Sequence, residues 1–345
     1  MTALHRRNAL GLLGAGMALL AGCSETADDD EDSTADDEGS TPETDSSDGE
    51  LPSYASILPA TEESTFFYGA IDVETMGILL DDQGASEGAE PTDPLVGNPV
   101  VVALLCSFGL ELLGRSAGFE AYVTNNETAD GDEQFVYAEG VYVLVGSYDR
   151  DGLAADLERA GYTLETETDA YGVYAADEGG EIVGISNEVY AYSAPNGSDS
   201  EFDPVAAVER TVATAAGDRE PKHDADDDFE RLLRAGDTRG IGCCLYTDAD
   251  AFDSATLSDD RASDSDNLEF AFNAFEGAYG AYQGLRVSGD AAATARATVV
   301  YSGDDRVDED RLESALGTEA ETVAFDRDGP TVTIDAEYGG EFARE

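Results

Sequence analysis

The strongest constraint on this chain is its negative charge. The sequence has 76 Asp and Glu residues against 18 Lys and Arg, which gives a formal net charge of -58 at pH 7. The carboxylates are spread along the whole chain, and Lys222 is its only lysine. Such a chain repels itself in dilute buffer, whereas at molar salt the Debye length falls to about 3 Å and the repulsion is screened. A calcium buffer with clustered acidic sites is the alternative, but uniform acidity with a single lysine favours a protein that folds in brine.

The same charge restricts the partners of the protein. A nucleic-acid backbone is bound by a patch of Lys and Arg, and the sequence has no such patch, so we expect no nucleic-acid partner. Anionic lipid headgroups are likewise not expected to attract the body of the protein. Attachment to a membrane therefore has to come from a separate anchor.

The N-terminus has the features of such an anchor. A paired arginine, Arg6-Arg7, precedes an apolar run from Ala9 to Ala21, which is shorter than the roughly 20 residues that cross a bilayer. A charged start, a short apolar run and small residues before a cut site are typical of a secretory signal. The segment Leu20-Ala21-Gly22-Cys23 resembles a lipobox, in which cleavage before Cys23 leaves a thiol that takes a diacylglyceryl group. The arginine pair resembles a twin-arginine export signal, which carries folded proteins. We therefore expect residues 1–22 to be a signal peptide and Cys23 to carry lipid.

Residues 23–50 are expected to form an acidic, disordered tether. From Ser24 to Glu50 the chain has no basic residue and consists of Ser, Thr, Asp, Glu, Gly and Ala with a single proline, a composition that cannot bury enough apolar surface to fold. The signal, the lipobox-like segment, the tether and the overall acidity together resemble haloarchaeal twin-arginine-exported lipoproteins. This resemblance implies a lipid-anchored location on the extracellular face of the cell membrane, and it implies no activity.

The folded body is predicted to be α+β, with helices packed on one face of antiparallel sheet. Apolar residues four apart predict helices over 149–160 and 308–316, each followed by a glycine that ends it, and Asp203 caps a third over 203–216. The apolar stretch Val100 to Leu113 is predicted to be a buried core helix, and Phe119 to Thr124 a strand. Tyr- and Val-rich segments with partial alternation predict further strands at 65–73, 134–138, 141–148, 162–168, 171–176, 182–186, 189–193, 285–288, 295–301, 321–326 and 331–337.

The order strand, helix, strand, strand occurs twice in this pattern. It runs from Val141 through the 149–160 helix, and again from Ala297 through the 308–316 helix. We expect an internal repeat, with a first α+β unit at 51–220 and a second at 221–345. The two units could also form one domain.

Histidine and lysine, which supply many catalytic groups, are scarce in this sequence. After removal of the signal, His223 is the only histidine, so metal sites built on several imidazoles are excluded. Lys222 and His223 lie in an acid-rich stretch that predicts a solvated loop, a poor place for a reactive lysine or a catalytic triad. Two acidic clusters, at 224–228 and 248–253, lack the spacing of an EF-hand. We expect no catalytic residue, no metal and no cofactor.

The cysteines allow two interpretations. Besides Cys23 there are Cys106, on the predicted apolar helix, and the adjacent pair Cys243 and Cys244, whose side chains should point to opposite faces of a strand. A disulfide from Cys106 to one of the pair is permitted outside the cell. Equally, all three could be buried thiols that act as small hydrophobes.

Two sequons are candidates for N-glycosylation, at Asn126 and Asn196. Both lie in segments rich in turn residues, where an attached glycan would point to solvent. Occupancy of either is open from the sequence.

The leading functional hypothesis is a non-catalytic surface module that binds a protein or small-molecule ligand through its sheet. One alternative is a carboxylate-based extracellular hydrolase, which needs two converging carboxyl groups with separated pKa values. Another is a solute-binding lipoprotein, which needs two lobes around a cleft.

Overall fold

The computed structural model describes residues 49–81, 91–129, 131–177, 180–193, 202–236, 239–253, 257, 270–287 and 292–339. The predicted signal peptide, Cys23, most of the predicted tether and Asn196 lie outside these residues.

The described residues are organised by one antiparallel sheet. Its strands are β1 Thr65–Asp72, β2 Gln134–Ala138, β3 Val141–Val145, β4 Tyr162–Glu167, β5 Gly172–Ala176, β6 Ile182–Ile185, β7 Val189–Ser193, β8 Ile241–Thr247, β9 Ala278–Val287, β10 Ala293–Tyr301, β11 Thr322–Asp328 and β12 Thr331–Tyr338. The helices are α1 Val73–Asp81, α2 Pro94–Arg115, α3 Phe119–Asn125, α4 Arg150–Arg159, α5 Pro204–Ala215, α6 Lys222–Ala225, α7 Asp227–Arg234 and α8 Glu309–Ala315. The strand order is β11-β12-β10-β9-β8-β1-β2-β3-β7-β6-β5-β4, which confirms the predicted α+β class.

The prediction that helices cover one face of the sheet is wrong. In β3, Tyr142 and Leu144 pack in the apolar cluster that includes α2, α3 and α4, whereas Val141 and Val143 pack in the cluster that includes α5 and α7. The central strands are buried on both sides, and their sequences are therefore nearly continuous apolar runs. Both faces need cover because both are apolar.

Aspartate caps begin five of the described helices, at Asp93, Asp149, Asp203, Asp226 and Asp308, and the sequence predicts the cap at Asp203. The carboxylate of Asp149 accepts a hydrogen bond from the Gly152 amide at 3.1 Å. Asp203 does the same for α5, and Asp308 for α8. Because each cap satisfies amides that lack an intrahelical partner, it fixes where the helix starts.

Residues 119–125 form a helix, so the predicted strand at 119–124 is wrong. The residues Phe, Tyr, Val and Thr favour a strand locally, but Ala121, Tyr122 and Asn125 share one helical face and are buried. This face packs against α4, and the tertiary contact overrides the local preference.

The predicted repeat is visible in the topology. The segments β3-α4-β4-β5 and β10-α8-β11-β12 each run strand, helix, strand, strand. In both, the strand after the helix forms an outer edge of the sheet. The two predicted units contribute β1–β7 and β8–β12, and they join where β1 pairs with β8, with Gly69 opposite Cys243.

Helix α2 crosses the centre of the sheet over β1, β8 and β9. Among the described residues it is the one helix long and apolar enough to span a membrane, with a mean hydropathy of 1.8. Half of its apolar window is buried in the protein. The approach to β1 is close, because a Cβ atom at Gly69 would come within 2.5 Å of the Val102 side chain.

Candidate functional site

Two clefts among the described residues are open and acidic. One has a volume of about 500 Å³ and is lined by Glu127, Tyr148, Asp149, Arg150, Asp151, Asp169 and Asn187. The other, of about 420 Å³, is lined by residues 305–310. The Arg150 guanidinium in the first already donates to the Asp169 carbonyl at 2.6 Å. Within the described part of the chain, no cluster of three potential metal-ligating side chains is found.

Lys222 and His223 are buried, which corrects the prediction of a solvated loop. Lys222 is 4% exposed and His223 9%. The segment is tied down because the Lys222 amide donates to the Leu58 carbonyl at 2.8 Å, beside a bridge between Pro59 and Pro221. The surrounding acid run in the sequence gave no sign of this burial.

The Lys222 ammonium lies among three aromatic rings. Its Nζ is 5.5 Å from the ring centres of Phe66 and Phe229 and 5.0 Å from that of Tyr246. It also lies 3.2 Å from the Asp248 carboxylate. Since these rings come from β1, α7 and β8, the lysine connects the two sequence units by cation–π contacts.

Asp226, in the acidic run after Lys222, forms hydrogen bonds within the fold. Asp226 caps α7 by accepting from the amides of Asp228 and Phe229, and its second oxygen accepts from the Tyr246 hydroxyl at 2.7 Å. His223 Nε2 lies 3.5 Å from Asp224. The sequence alternatives for this run were a solvated surface or a calcium site, and Asp226 is committed to capping instead.

Glu139 is a partly buried carboxyl group with a raised pKa, the property that a general acid or base needs. It lies in the two-residue turn between β2 and β3 with a φ of 48°, and its Oε1 accepts from the Phe67 amide at 3.4 Å. Burial raises its pKa to about 7, with a further rise from Glu63 and opposing effects of the Phe67 amide, Arg210 and Lys222. Glu63 is exposed, and Glu139 lines neither of the two clefts. Glu139 and Glu63 therefore do not form the pair of converging carboxyl groups that the hydrolase alternative needs.

Glu133 is a second partly buried carboxylate, held by three donors. It accepts from the Tyr122 hydroxyl at 3.0 Å, the Tyr148 hydroxyl at 2.8 Å and the Asn126 amide at 3.0 Å. Burial raises the pKa of Glu133, and the three donors oppose that rise. The cluster joins α3 to the residues just before β2 and α4, segments that the sequence gave no reason to bring together.

Pairs of a tyrosine and a carboxylate recur elsewhere. Tyr162 donates to Glu181 at 2.9 Å, and Tyr338 donates to Asp93 at 2.8 Å. A buried hydroxyl needs a hydrogen-bond partner, and this chain supplies many carboxylates. The composition could have suggested such pairs, although not which residues form them.

The three described cysteines are free and buried. Cys243 and Cys106 belong to the apolar cluster under α2, and Cys244 belongs to the cluster on the other face, which matches the predicted divergence of the adjacent pair. Burial raises the pKa of all three thiols. Of the two sequence interpretations, the structure has the buried thiols and not the disulfide.

Asn126 does not point freely to solvent as its sequon predicts. The residue is partly buried, and its amide nitrogen donates to Glu133 and, at 3.1 Å, to the Tyr122 hydroxyl. The other sequon, at Asn196, lies outside the described residues.

One face of the sheet is left open at β10, β11 and β12. Residues on the other side of β10 and β12, such as Ala297 and Ile334, are buried in the cluster under α2. Strand β11 is exposed on both sides except at the partly buried Phe325. Arg296 pairs with Asp335 across the open side at 2.6 Å, and the Thr322 hydroxyl donates to Glu337 at 3.1 Å. We call this surface the open face; it consists of Thr294, Arg296, Thr322, Ala324, Asp326, Thr333, Asp335 and Glu337.

Comparison with known proteins finds only weak structural similarity. No protein-family model matches the sequence, and no curated protein matches it. Crystal form I of TP0453 is similar over 86% of this chain and 96% of that chain, with 11% identity and a TM-score of 0.39. Crystal form III is similar over 82% and 92%, with 9% identity and a TM-score of 0.39. At these identities and TM-scores, the likeness carries no conclusion about function.

Proposed function

We propose that this chain is an exported, lipid-anchored module that binds a protein partner through the open face. The observation that carries the proposal is that helices cover the central strands of the sheet more completely than the strands near one edge. Helices cover both faces of the central strands, whereas the described helices leave one side of β11, of β12 and of the first half of β10 exposed. Farther along β10 on that side, Thr298 and Val300 are buried. A flat surface of this kind suits a protein partner, while small molecules are bound in concave sites.

The chemistry of the open face indicates the kind of partner. Asp326, Asp335 and Glu337 outnumber the single cation Arg296, and threonine hydroxyls lie between them. A complementary surface therefore presents cationic groups and hydrogen-bond donors. In brine, charge pairs at the rim of an interface are screened, so hydrogen bonds contribute more of the binding free energy than charge pairs do.

Cross-linking on intact cells tests this binding. A photo-reactive amino acid at Ala324 lies on the open face, and one at Ala155 on α4 is an equally exposed control. We expect a discrete protein adduct from position 324 in high salt and none from position 155. Equal adducts from both positions, or none from position 324, would contradict the proposal.

The proposed location has its own test. Replacing Cys23→Ser removes the thiol that takes the lipid and should release the exported protein into the medium. Replacing both Arg6→Lys and Arg7→Lys should leave the protein inside the cell. A Cys23→Ser protein that stays in the membrane fraction would contradict the lipid anchor, whatever the result at the open face.

A further inference from the structure

The sequon at residues 126–128 is part of a paired backbone segment. Asn126 forms an antiparallel bridge with Tyr148, and the Glu127 amide donates to the Ser147 carbonyl at 2.8 Å. The Thr128 hydroxyl accepts from the Ser147 amide at 2.8 Å. The backbone of the sequon is therefore paired within the protein and is not free to bind to an enzyme as an acceptor peptide.

The side-chain amide of Asn126 is committed as well. Its Nδ2 donates to Glu133 Oε1 at 3.0 Å and to the Tyr122 hydroxyl at 3.1 Å, while its Oδ1 accepts from the Thr128 amide at 2.9 Å. The nitrogen that would carry a sugar thus uses both of its hydrogens inside the protein. Tyr122 is buried, so the direction in which Nδ2 points is occupied by protein.

Glycosylation is incompatible with this arrangement. The reaction forms a bond from Nδ2 to the C1 carbon of a lipid-phosphate-linked sugar and breaks the bond from that carbon to the phosphate. One amide proton leaves with the phosphate. The product keeps a single N–H where the fold uses two, and the sugar would displace Tyr122 or Glu133. A partly buried carboxylate would then lose one of its donors.

We propose that Asn126 is a glycosylation site that is open only before the chain folds, so that its occupancy records the order of folding and export. The inference rests on the proposed export. A chain that folds in the cytoplasm and then crosses the membrane presents a closed sequon to enzymes outside. A chain that crosses unfolded presents an open one.

Mass spectrometry of peptides from the full chain tests the proposal in a salt-loving host that glycosylates exported proteins. The native signal is compared with a general secretory signal that threads unfolded chains and keeps Cys23. We expect no glycan at Asn126 with the native signal and a glycan mass on the same peptide with the secretory signal. The substitution Thr128→Val should abolish that mass shift.

A second variant shows that the host is competent. The substitution Glu62→Asn creates a sequon with Glu63 and Ser64, at exposed positions outside the helices and strands, and this sequon should be glycosylated with either signal. Given that control, a glycan at Asn126 of the natively exported protein, or none with either signal, overturns the proposal. Failure of export itself is seen separately, as absence of protein from the cell surface.

Discussion

The ammonium group of Lys222 lies 3.2 Å from the carboxylate of Asp248, beneath the rings of Phe66, Phe229 and Tyr246. Replacing Lys222→Met keeps most of the stem and removes the charge. Because desolvated cation–π contacts contribute about 2 kcal/mol, we expect the free energy of unfolding to fall by about that amount. Denaturant titration in molar salt measures the loss.

Arg159 provides the matched control for Lys222. It pairs with Asp156 on the surface of α4 and is largely exposed, so Arg159→Met should change stability by less than about 0.5 kcal/mol. Asp248 is 46% exposed, and Asp248→Asn should cost less than Lys222→Met. If the Lys222 and Arg159 variants lose the same stability, the aromatic surroundings contribute nothing.

Glu139 is expected to make the protein less stable as the pH rises. Its pKa is raised from 4.5 to about 7, chiefly by burial, so between these values the folded protein holds a proton that the unfolded chain releases. Stability from this group is therefore present below pH 4.5 and lost as pH rises to about 7. Glu139→Gln removes the effect and should gain stability relative to the parent between pH 5 and 8, a range set around that pKa of about 7.

The general charge repulsion of the chain gives a pH trend of the same sign, so the difference between variants is the informative quantity. Glu158→Gln removes an exposed carboxylate from α4 and is the comparison for the loss of one negative charge. A Glu139→Gln curve parallel to the Glu158→Gln curve would show that Glu139 titrates as an ordinary surface group.

The parts of the fold that the sequence predicted correctly depend on local chemistry. The helices after Asp149, Asp203 and Asp308 begin with caps whose partners lie two or three residues away. Each of the three is followed by a glycine with a positive φ, at Gly161, Gly217 and Gly317, and the sequence predicted the first and the last of these. Such signals are contained within one turn of helix and need no knowledge of the rest of the chain.

The parts that it missed depend on contacts between distant residues. Lys222 is buried by the ring of Phe66, more than 150 residues before it in the chain, and by rings that follow it, such as that of Tyr246. The acidic residues next to Lys222 in the sequence therefore predicted exposure to solvent, which is wrong. The strand prediction at Phe119 failed because packing of α3 on α4 outweighs local propensity. The three described glutamates with raised pKa values, Glu133, Glu139 and Glu181, owe the shift chiefly to burial, which one sequence does not report.

The cysteines should be unreactive in the folded protein. Cys106, Cys243 and Cys244 are buried, and burial raises the pKa of each thiol, so little nucleophilic thiolate forms. In a chain starting at residue 51, iodoacetamide in brine should label no cysteine, and after denaturation without reductant it should label all of the free thiols. Labelling of a single cysteine after denaturation would instead reveal a disulfide.

The close packing of α2 on β1 gives a prediction of opposite signs at two glycines. A Cβ atom at Gly69 would lie 2.5 Å and 2.8 Å from the two methyl groups of Val102. We expect Gly69→Ala to destabilise the protein by about 1–3 kcal/mol, as overpacking of a core does. At Gly114, in the last turn of α2, nothing lies within 4 Å of an added Cβ, and alanine is the better helix former by up to about 1 kcal/mol. Gly114→Ala should therefore raise the denaturation midpoint while Gly69→Ala lowers it. A Gly69→Ala protein as stable as the parent would mean that α2 can move away from β1 at no cost.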